Sequence, residues 1–432
     1  GATNLVTGIA TANYDSVPLV CFTGQVARNL IGNDAFQEVD IVGITRSICK
    51  YGITVQKRED LGRIIKEAFY IARTGRPGPV VIDLPKDVMA ELGSPEYPQT
   101  VNIRGYKPNT EVHIGQLKRA IKMLGRAKKP LFLAGGGVII SRANEVFTKL
   151  VEKTNIPVVT TVMGRGAIPT NHPLYIGNLG MHGAYACNMA VSDCDLLFSI
   201  GTRFNDRITG KLHSFAPNAQ IVHIDIDTAA ISKNVQVDIP IVADAKDAIE
   251  KMLEYVEPNE TSKWLEQIES WKEEHPLKMK EKPIMTPQDI IETINHMFDE
   301  AIIVTDVGQH QMFTAQFVEI TQKKRLLMSG GLGTMGYGLG AAIAGIAGAC
   351  LMSYYYVYPA VGNIYGTRSF IVVTMGGLGS VVGAFFGGIG LGVMETVGSA
   401  VVGAAFKDTL VFIVFILILV VKENLNIKKR KG

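Results

Sequence analysis

The chain has 432 residues, a net charge of +3 and five cysteines, at 21, 49, 187, 194 and 350. Its length allows two or three domains. The near-balanced charge, with no basic patch interleaved with aromatics, argues against a nucleic-acid partner, and cysteines without a C-x-x-C pair offer neither a zinc site nor a disulfide framework. A reducing compartment fits this cysteine usage, and the start at Gly1, without a charged-then-apolar leader, predicts no signal peptide and a chain that opens in mid-domain.

From Gly1 to about Glu91 the pattern is α/β. Pro18–Gly24 is a short apolar run closed by glycine and reads as a buried strand. Residues 59–74 carry Leu61, Ile64, Ile65, Ala68 and Ile71 at helical spacing, and Pro79–Pro85 is a second strand held between prolines. Residues 92–112 are rich in Pro, Asn and Thr and predict a linker. An amphipathic helix over 113–127 then opens a second α/β region. Its strands are expected at 130–134, 157–161, 195–200, 219–225 and 239–243, which makes a doubly wound domain over 113–256. Residues 257–284 are charged, hold Trp264 and Trp271, and predict a solvated helix and connector. Thr286-Pro287-Gln288-Asp289 is a helix start, with a capping Thr, Pro in the first turn and an acid three residues on. Strands at 301–305 and 325–329 begin a third α/β region over 285–340.

The composition then changes. About 42 residues, from Leu326 to Thr367, carry no Asp, Glu, Lys or Arg, and after Arg368 a further run of about 26 reaches Met394. Uncharged apolar runs longer than about 18 residues predict membrane spans. The basic end, NIKKRKG, belongs on the cytoplasmic side by the positive-inside rule.

The richest stretch runs from Gly177 to Gly210. A glycine loop with Met181 and His182 leads through a helix-like span to the strand Leu196–Ile200, which opens into a loop with Arg203 and Arg207. Cationic side chains beyond a strand end are where open α/β sheets take anionic ligands. Leu133–Gly137 (LAGGG) ends another strand, and Gly135, Gly136 and Gly137 would allow a pyrophosphate to approach the backbone closely. Arg203 could hold such a group bidentately. Asp225, at a strand end, could accept hydrogen bonds from an adenosine.

These motifs stand in the order found in one family. Residues 1 to about 340 resemble the large, catalytic subunit of acetolactate synthase (acetohydroxyacid synthase). The resemblance rests on GATNLVTGIATA at the start, GQV at 24–26, DAFQE at 34–38, RPGPVVIDLPKD at 76–87, LAGGG, TVMG at 161–164, GMHG at 180–183, TRFNDR at 202–207, HIDID at 223–227, VGQHQM at 307–312 and GGLGTMGYG at 330–338. It implies a thiamine-diphosphate enzyme that also holds FAD. That enzyme condenses two pyruvates, or pyruvate and 2-oxobutanoate, with release of CO2, in valine and isoleucine biosynthesis. The implied fold is a partial pyrimidine domain over 1–91, a complete FAD-type middle domain and the start of a diphosphate domain.

By the same resemblance Gln25, Phe36 and Lys86 belong to the substrate channel. Arg207 would take the carboxylate of the second keto acid, and Met335 would prop the thiamine cofactor in its bent form. Arg76, Gly135, Gly136, Gly137, Thr161, Met163, Met181, His182, Arg203 and Asp225 would contact the flavin. Val307, Gly308, Gln309, His310 and Gly333 lie on the thiamine side. The family implies a homodimer or tetramer, with the active site between two subunits and a small regulatory subunit as a further partner, and a cytoplasmic setting for residues 1–340. Two of its features are missing: the activating glutamate would precede Gly1, and the Gly-Asp-Gly and Asn that bind Mg2+ would follow Gly340. No metal ligands are therefore expected, and an active chain is not. From about 341 the tail resembles the C-terminal end of a branched-chain amino acid transporter permease, on AAIAGIAG at 341–348, YPAVG at 358–362 and the glycine-spaced run 373–395. This predicts membrane insertion after about 341 and a truncated hybrid, with a transport component as the alternative function.

Overall fold

The computed structural model describes residues 1–343, except 95–96, 110, 280–283 and 322, together with 388–390 and 392–393. Two units are distinguished, Gly1–Ile343 and Ala344–Gly432. Of the second, only the helical residues 388–390 and 392–393 are described, so the membrane and permease-like tail expected after about 341 lies almost wholly outside the described residues. Among the described residues no helix is long and apolar enough to cross a membrane. The first unit is α/β throughout and contains three parallel sheets.

The N-terminal region begins with α1 (Val6–Tyr14), β1 (Leu19–Gln25), α2 (Ile41–Thr45) and β2 (Tyr51–Thr54). It continues with α3 (Leu61–Arg73), β3 (Pro79–Pro85) and α4 (Lys86–Ala90). The strand order is β1-β3-β2, all parallel. The central β3 is buried on both faces, as a continuous Val-Val-Ile run requires. The apolar stripe of α3, with Ile64, Ala68, Ile71 and Ala72 buried, packs on it. Strand β2 was not among the expected elements; its four residues are all half-buried and offer no alternation to read.

Residues 92–112 contain no described helix or strand but are fastened down. Arg58 Nη1 donates to Ser94 O (3.0 Å), Lys66 Nζ to Gln99 O (2.7 Å), and Lys50 Nζ to the Tyr106 hydroxyl (3.1 Å). Ile103 and Tyr106 pack on the N-terminal core. Asn109 Nδ2 instead donates to Val242 O in the next region (2.6 Å).

The middle region runs α5 (Ile114–Leu124), β4 (Pro130–Ala134), α6 (Gly136–Ile140), α7 (Asn144–Thr154), β5 (Val158–Thr160) and β6 (Tyr175–Asn178). Then come α8 (Tyr185–Asp193), β7 (Leu196–Ile200), α9 (Asp206–Thr209), β8 (Gln220–Asp225), β9 (Ile239–Val242) and α10 (Ala245–Leu253). Its sheet has six parallel strands in the order β6-β5-β4-β7-β8-β9. Numbered within the region this is 3-2-1-4-5-6, the dinucleotide-binding order. Five strands were expected. The sixth, β6, has Gly177 at φ +147° and a register shift opposite Val158 and Val159, so its sequence reads as a loop.

The helix expected within 257–284 is present as α11 (Ser262–Glu274), but it is not solvated on all sides. Trp264 and Ile268 are buried one helical turn apart, and Trp264 Nε1 donates to Pro130 O (3.0 Å). The third region contains α12 (Pro287–Met297), β10 (Ala301–Val304), α13 (Gln309–Phe317) and β11 (Lys324–Leu327), with β10 and β11 parallel. The expected cap is present. Thr286 Oγ1 accepts from Asp289 N (3.3 Å), and Asp289 Oδ2 accepts from Thr286 N (2.7 Å).

Candidate functional site

In the middle sheet the chain reverses its winding direction between β4 and β7, and a crevice opens beyond their C-terminal ends. Two loops face each other there: Gly135-Gly136-Gly137 after β4 and Gly201-Thr202-Arg203 after β7. They are tied backbone to backbone, Gly135 N to Ile200 O (2.9 Å) and Gly137 N to Gly201 O (3.1 Å). A Cβ on Gly135 would sit 2.1 Å from Gly201 O, and one on Gly137 would sit 2.6 Å from Gly201 Cα. These two glycines are therefore required by the contact between the loops. Gly136 alone is free of backbone conflict; its Cβ would meet Met163 Cβ at 3.3 Å. Of the three, Gly136 and Gly137 line the cavity described below, and Gly135 does not.

Charge gathers at the same place. Arg76 grips the turn after α1: its Nε donates to Ser16 Oγ (3.0 Å) and its Nη2 to Asn13 O (2.9 Å), while Nη1 reaches Asp227 Oδ2 (3.3 Å). The Arg203 guanidinium has no hydrogen-bond partner among the described residues. Burial, and then the neighbouring Arg76 cation, push it below the usual arginine range, while Asp15, Asp225 and Asp227 act the other way. Asp15 accepts from Gly331 N (2.7 Å) through one oxygen; the other is buried without a partner. Burial raises its pKa, against the pull of Gly331, Arg203 and Gly330. Asp225 has one oxygen committed to Asp227 N (2.8 Å).

A cavity of about 1980 Å3 joins this crevice to all three regions of the first unit. From the N-terminal region Arg76 lines it. From the middle region come Gly136, Gly137, Thr161, Met163, Met181, His182, Arg203, Arg207 and Asp225, and from the third Val307, Gly308, Gly333 and Met335. Thr161 Oγ1 is spent on a local turn, accepting from Gly164 N (3.0 Å). Arg207 is exposed, with Nη1 3.7 Å from Met181 Sδ. Met335 is 83% exposed, so it is no core residue.

Five expected residues besides Gly135 are not brought to this cavity. Gln309 and His310 stand exposed on the first turn of α13, beside it. Phe36 is 87% exposed, and Lys86 is exposed at the start of α4. Gln25 is held in place: Nε2 donates to Val39 O (2.8 Å) and Asp83 Oδ2 (3.1 Å), and Oε1 accepts from Val26 N (3.0 Å).

Other residues had no local signal. Asp15 is one acid in an ordinary turn until Gly331 meets it. Asp306 caps the glycine loop of the third region, accepting from Val307 N (2.7 Å) and Gly336 N (2.9 Å), and these backbone N–H groups hold its carboxyl below the usual range. The surroundings fit a bound dinucleotide: the strand order, the open Gly136 and an uncommitted guanidinium at the switch point coincide. Among the described residues no group of three or more His, Cys, Asp or Glu could hold a metal ion.

Three domain models of thiamine pyrophosphate enzymes match the chain: the N-terminal TPP binding domain at residues 1–44, the central domain at 117–252 and the C-terminal TPP binding domain at 306–359. The acetolactate synthase large subunit of Buchnera aphidicola subsp. Schizaphis graminum is 48% identical over 351 residues, 79% of this chain and 62% of that protein. Over that length the chain is a homologue of the acetolactate synthase large subunit. The isozyme 3 large subunit of Escherichia coli K12 is 46% identical over 356 residues, with 79% and 62% covered. A probable acetolactate synthase large subunit of Methanococcus aeolicus is 48% identical over 371 residues, with 79% and 61% covered. This homologue thus spans about three-fifths of the length of the curated relatives it matches.

Proposed function

We propose that the chain carries out, or forms part of a protein that carries out, the acetolactate synthase reaction: condensation of pyruvate with a second 2-keto acid and loss of CO2. The observation that supports it most is the shared cavity, in which the dinucleotide crevice faces the loops 307–308 and 330–337 of the third region. Thiamine diphosphate, when bound, supplies the carbon nucleophile and the electron sink; the protein supplies position and field. Val307, Gly308 and Gly333 would hold it, and Met335 would press on it from the cavity side. FAD would lie over Gly136, Thr161 and Met163, with its pyrophosphate on Arg203 and Arg76. Arg207 would bind the carboxylate of the second keto acid through its two-pronged guanidinium. The chain's own residues offer no Mg2+ ligand set among those described, so no step is assigned to the metal.

Gln25, Phe36 and Lys86 stand away from the cavity of their own chain, which favours a homodimer in which they serve the partner's cavity. A cytoplasmic enzyme fits residues 1–340. The alternative, a membrane transport component, gains no relative among those named.

The test is titration of the chain with FAD, followed by an acetolactate assay with pyruvate, thiamine diphosphate and Mg2+. Flavin binding that is lost in Arg203→Ala is expected; acetolactate is expected only where a longer protein supplies the missing glutamate and metal site, and there it should be lost in Arg207→Ala. A chain that binds no flavin refutes the middle-domain assignment. Undiminished turnover in Arg207→Ala refutes the carboxylate role.

A further inference from the structure

Helix α13 touches both sides of the cavity. Its start follows Val307 and Gly308, and its residues Gln311 and Met312 line the wall. Farther along, Gln316 Nε2 donates to the carbonyl of His182, in the Met181–His182 loop of the middle region (2.9 Å).

The far end of α13 is plugged into the middle region. A helix leaves its last carbonyls without intrahelical partners. Here Asn178 Nδ2 donates to Ala315 O (2.6 Å) and Arg165 Nη2 to Val318 O, while Asn295 Nδ2, from α12 of the same third region, donates to Phe317 O (2.9 Å). Thr170 closes the row: its N donates to Ile320 O (3.0 Å), and its hydroxyl accepts from Ile320 N (3.0 Å).

Arg165 is the unusual member. It is 8% exposed, its Nε has no partner, and among the described residues no carboxylate pairs with it. Burial pushes its guanidinium below the usual arginine range. A buried cation without a counter-charge is strongly destabilising. What faces it is the negative end of the α13 dipole, with the carbonyl of Val318 at its tip. Asn178, beside it, is fixed by Thr160 Oγ1, which donates to its Oδ1 (3.1 Å).

We propose that Arg165 is a positioning residue: its buried charge clamps the C-terminal end of α13 and so sets where Val307, Gly308, Gln309 and His310 stand against the dinucleotide crevice. The two cofactor sides then share one rigid strut. The consequence for cofactors rests on the proposed function; the clamp itself does not.

Three variants of the full chain test it: Arg165→Leu, Arg165→Lys and Asn178→Ala. Hydrogen exchange is followed on peptides covering 309–320, with 130–134 and 196–200 as internal controls. The dissociation constant of thiamine diphosphate is measured by calorimetry in the presence of Mg2+. Losing a hydrogen bond from a charged donor predicts at least about tenfold faster exchange over 309–320 in Arg165→Leu, with the control strands unchanged. Thiamine diphosphate weakens by about tenfold in the same variant. Arg165→Lys, which keeps the charge, restores most of both, and Asn178→Ala moves the same peptides if Arg165→Leu does not fold.

Unchanged protection over 309–320 in both Arg165→Leu and Asn178→Ala overturns the clamp. So does a lysine variant no better than leucine, because the charge would then be idle. A wild-type chain that binds no thiamine diphosphate overturns the functional reading instead, and the exchange and lysine results still decide the clamp.

Discussion

Replacing Gly135 by alanine should damage the fold, and replacing its neighbour Gly136 should not. The new Cβ at 135 would lie 2.1 Å from Gly201 O, 2.4 Å from Thr202 Oγ1 and 2.7 Å from Gly201 C. Two of these are backbone atoms at the end of β7, so no side-chain rotation relieves the overlap. The strand ends must part, which strains the Gly135 N–Ile200 O and Gly137 N–Gly201 O bonds. Overpacking costs ~1–3 kcal/mol and each weakened bond ~1 kcal/mol, a loss of about 3–5 kcal/mol. At 136 the nearest contact is Met163 Cβ at 3.3 Å, and the residue opens α6. There alanine's helix preference of ~0.5–1 kcal/mol offsets the crowding. Urea unfolding followed by tryptophan fluorescence reads this directly. With a slope of about 2 kcal/mol/M, the Gly135→Ala midpoint should fall by roughly 2 M, and the Gly136→Ala midpoint by less than about 0.3 M. A Gly135→Ala midpoint equal to wild type would show that the loops do not meet as described. Equal losses at both positions would show that close approach is not what distinguishes them. Because Gly136 lines the cavity, its variant should instead lose flavin affinity.

Asp15→Asn should alter the pH dependence of stability. Burial raises the Asp15 pKa above its ordinary 3.8, so its favourable contribution is complete below that value and is lost as pH rises through the folded-state pKa. The variant should therefore gain melting temperature on wild type between about pH 3.5 and pH 7; a difference that stays flat over that range would remove the argument. Trp264→Phe, which leaves Pro130 O without its donor at 3.0 Å, should cost about 1–2 kcal/mol in the same urea assay; no change would mean that water replaces the indole. Cys187 and Cys194 are both buried, with thiols pushed up to about 12 by burial. Iodoacetamide at about pH 8 should leave both unlabelled until the chain is denatured; rapid labelling of either in the folded chain would show that the middle region opens.

Much of this architecture could be read from the sequence, because strong patterns carried it. Apolar runs bracketed by proline or glycine gave β1, β3, β4 and β7. The cap before α12 was legible because Thr286 and Asp289 satisfy each other within one turn. Strands β2 and β6 were not, since four half-buried residues, or a glycine with a register shift, leave no period to detect. The glycines after β4 were legible as a feature, but their main cause was not: Gly135 and Gly137 answer to Gly201, 66 and 64 residues away in sequence. Asp15 and Arg165 depend on partners more than 150 residues away, Gly331 and Val318, which no local spacing reveals. The separation of Gln25, Phe36 and Lys86 from the cavity is likewise a property of three-dimensional placement, which motif order does not encode.

The fastening of residues 92–112 localises movement between the first two regions. Tyr106 is bonded to Lys50 and Thr74, and Asn109 is already bonded to Val242. Only Lys107 and Pro108 lie between these two anchorages, and proline fixes one of their backbone angles. A stretch that looks like a twenty-residue tether therefore works as a pivot of two residues. Domain rotation would be limited to a narrow arc, and a protease nick near residue 100 would leave the pieces associated.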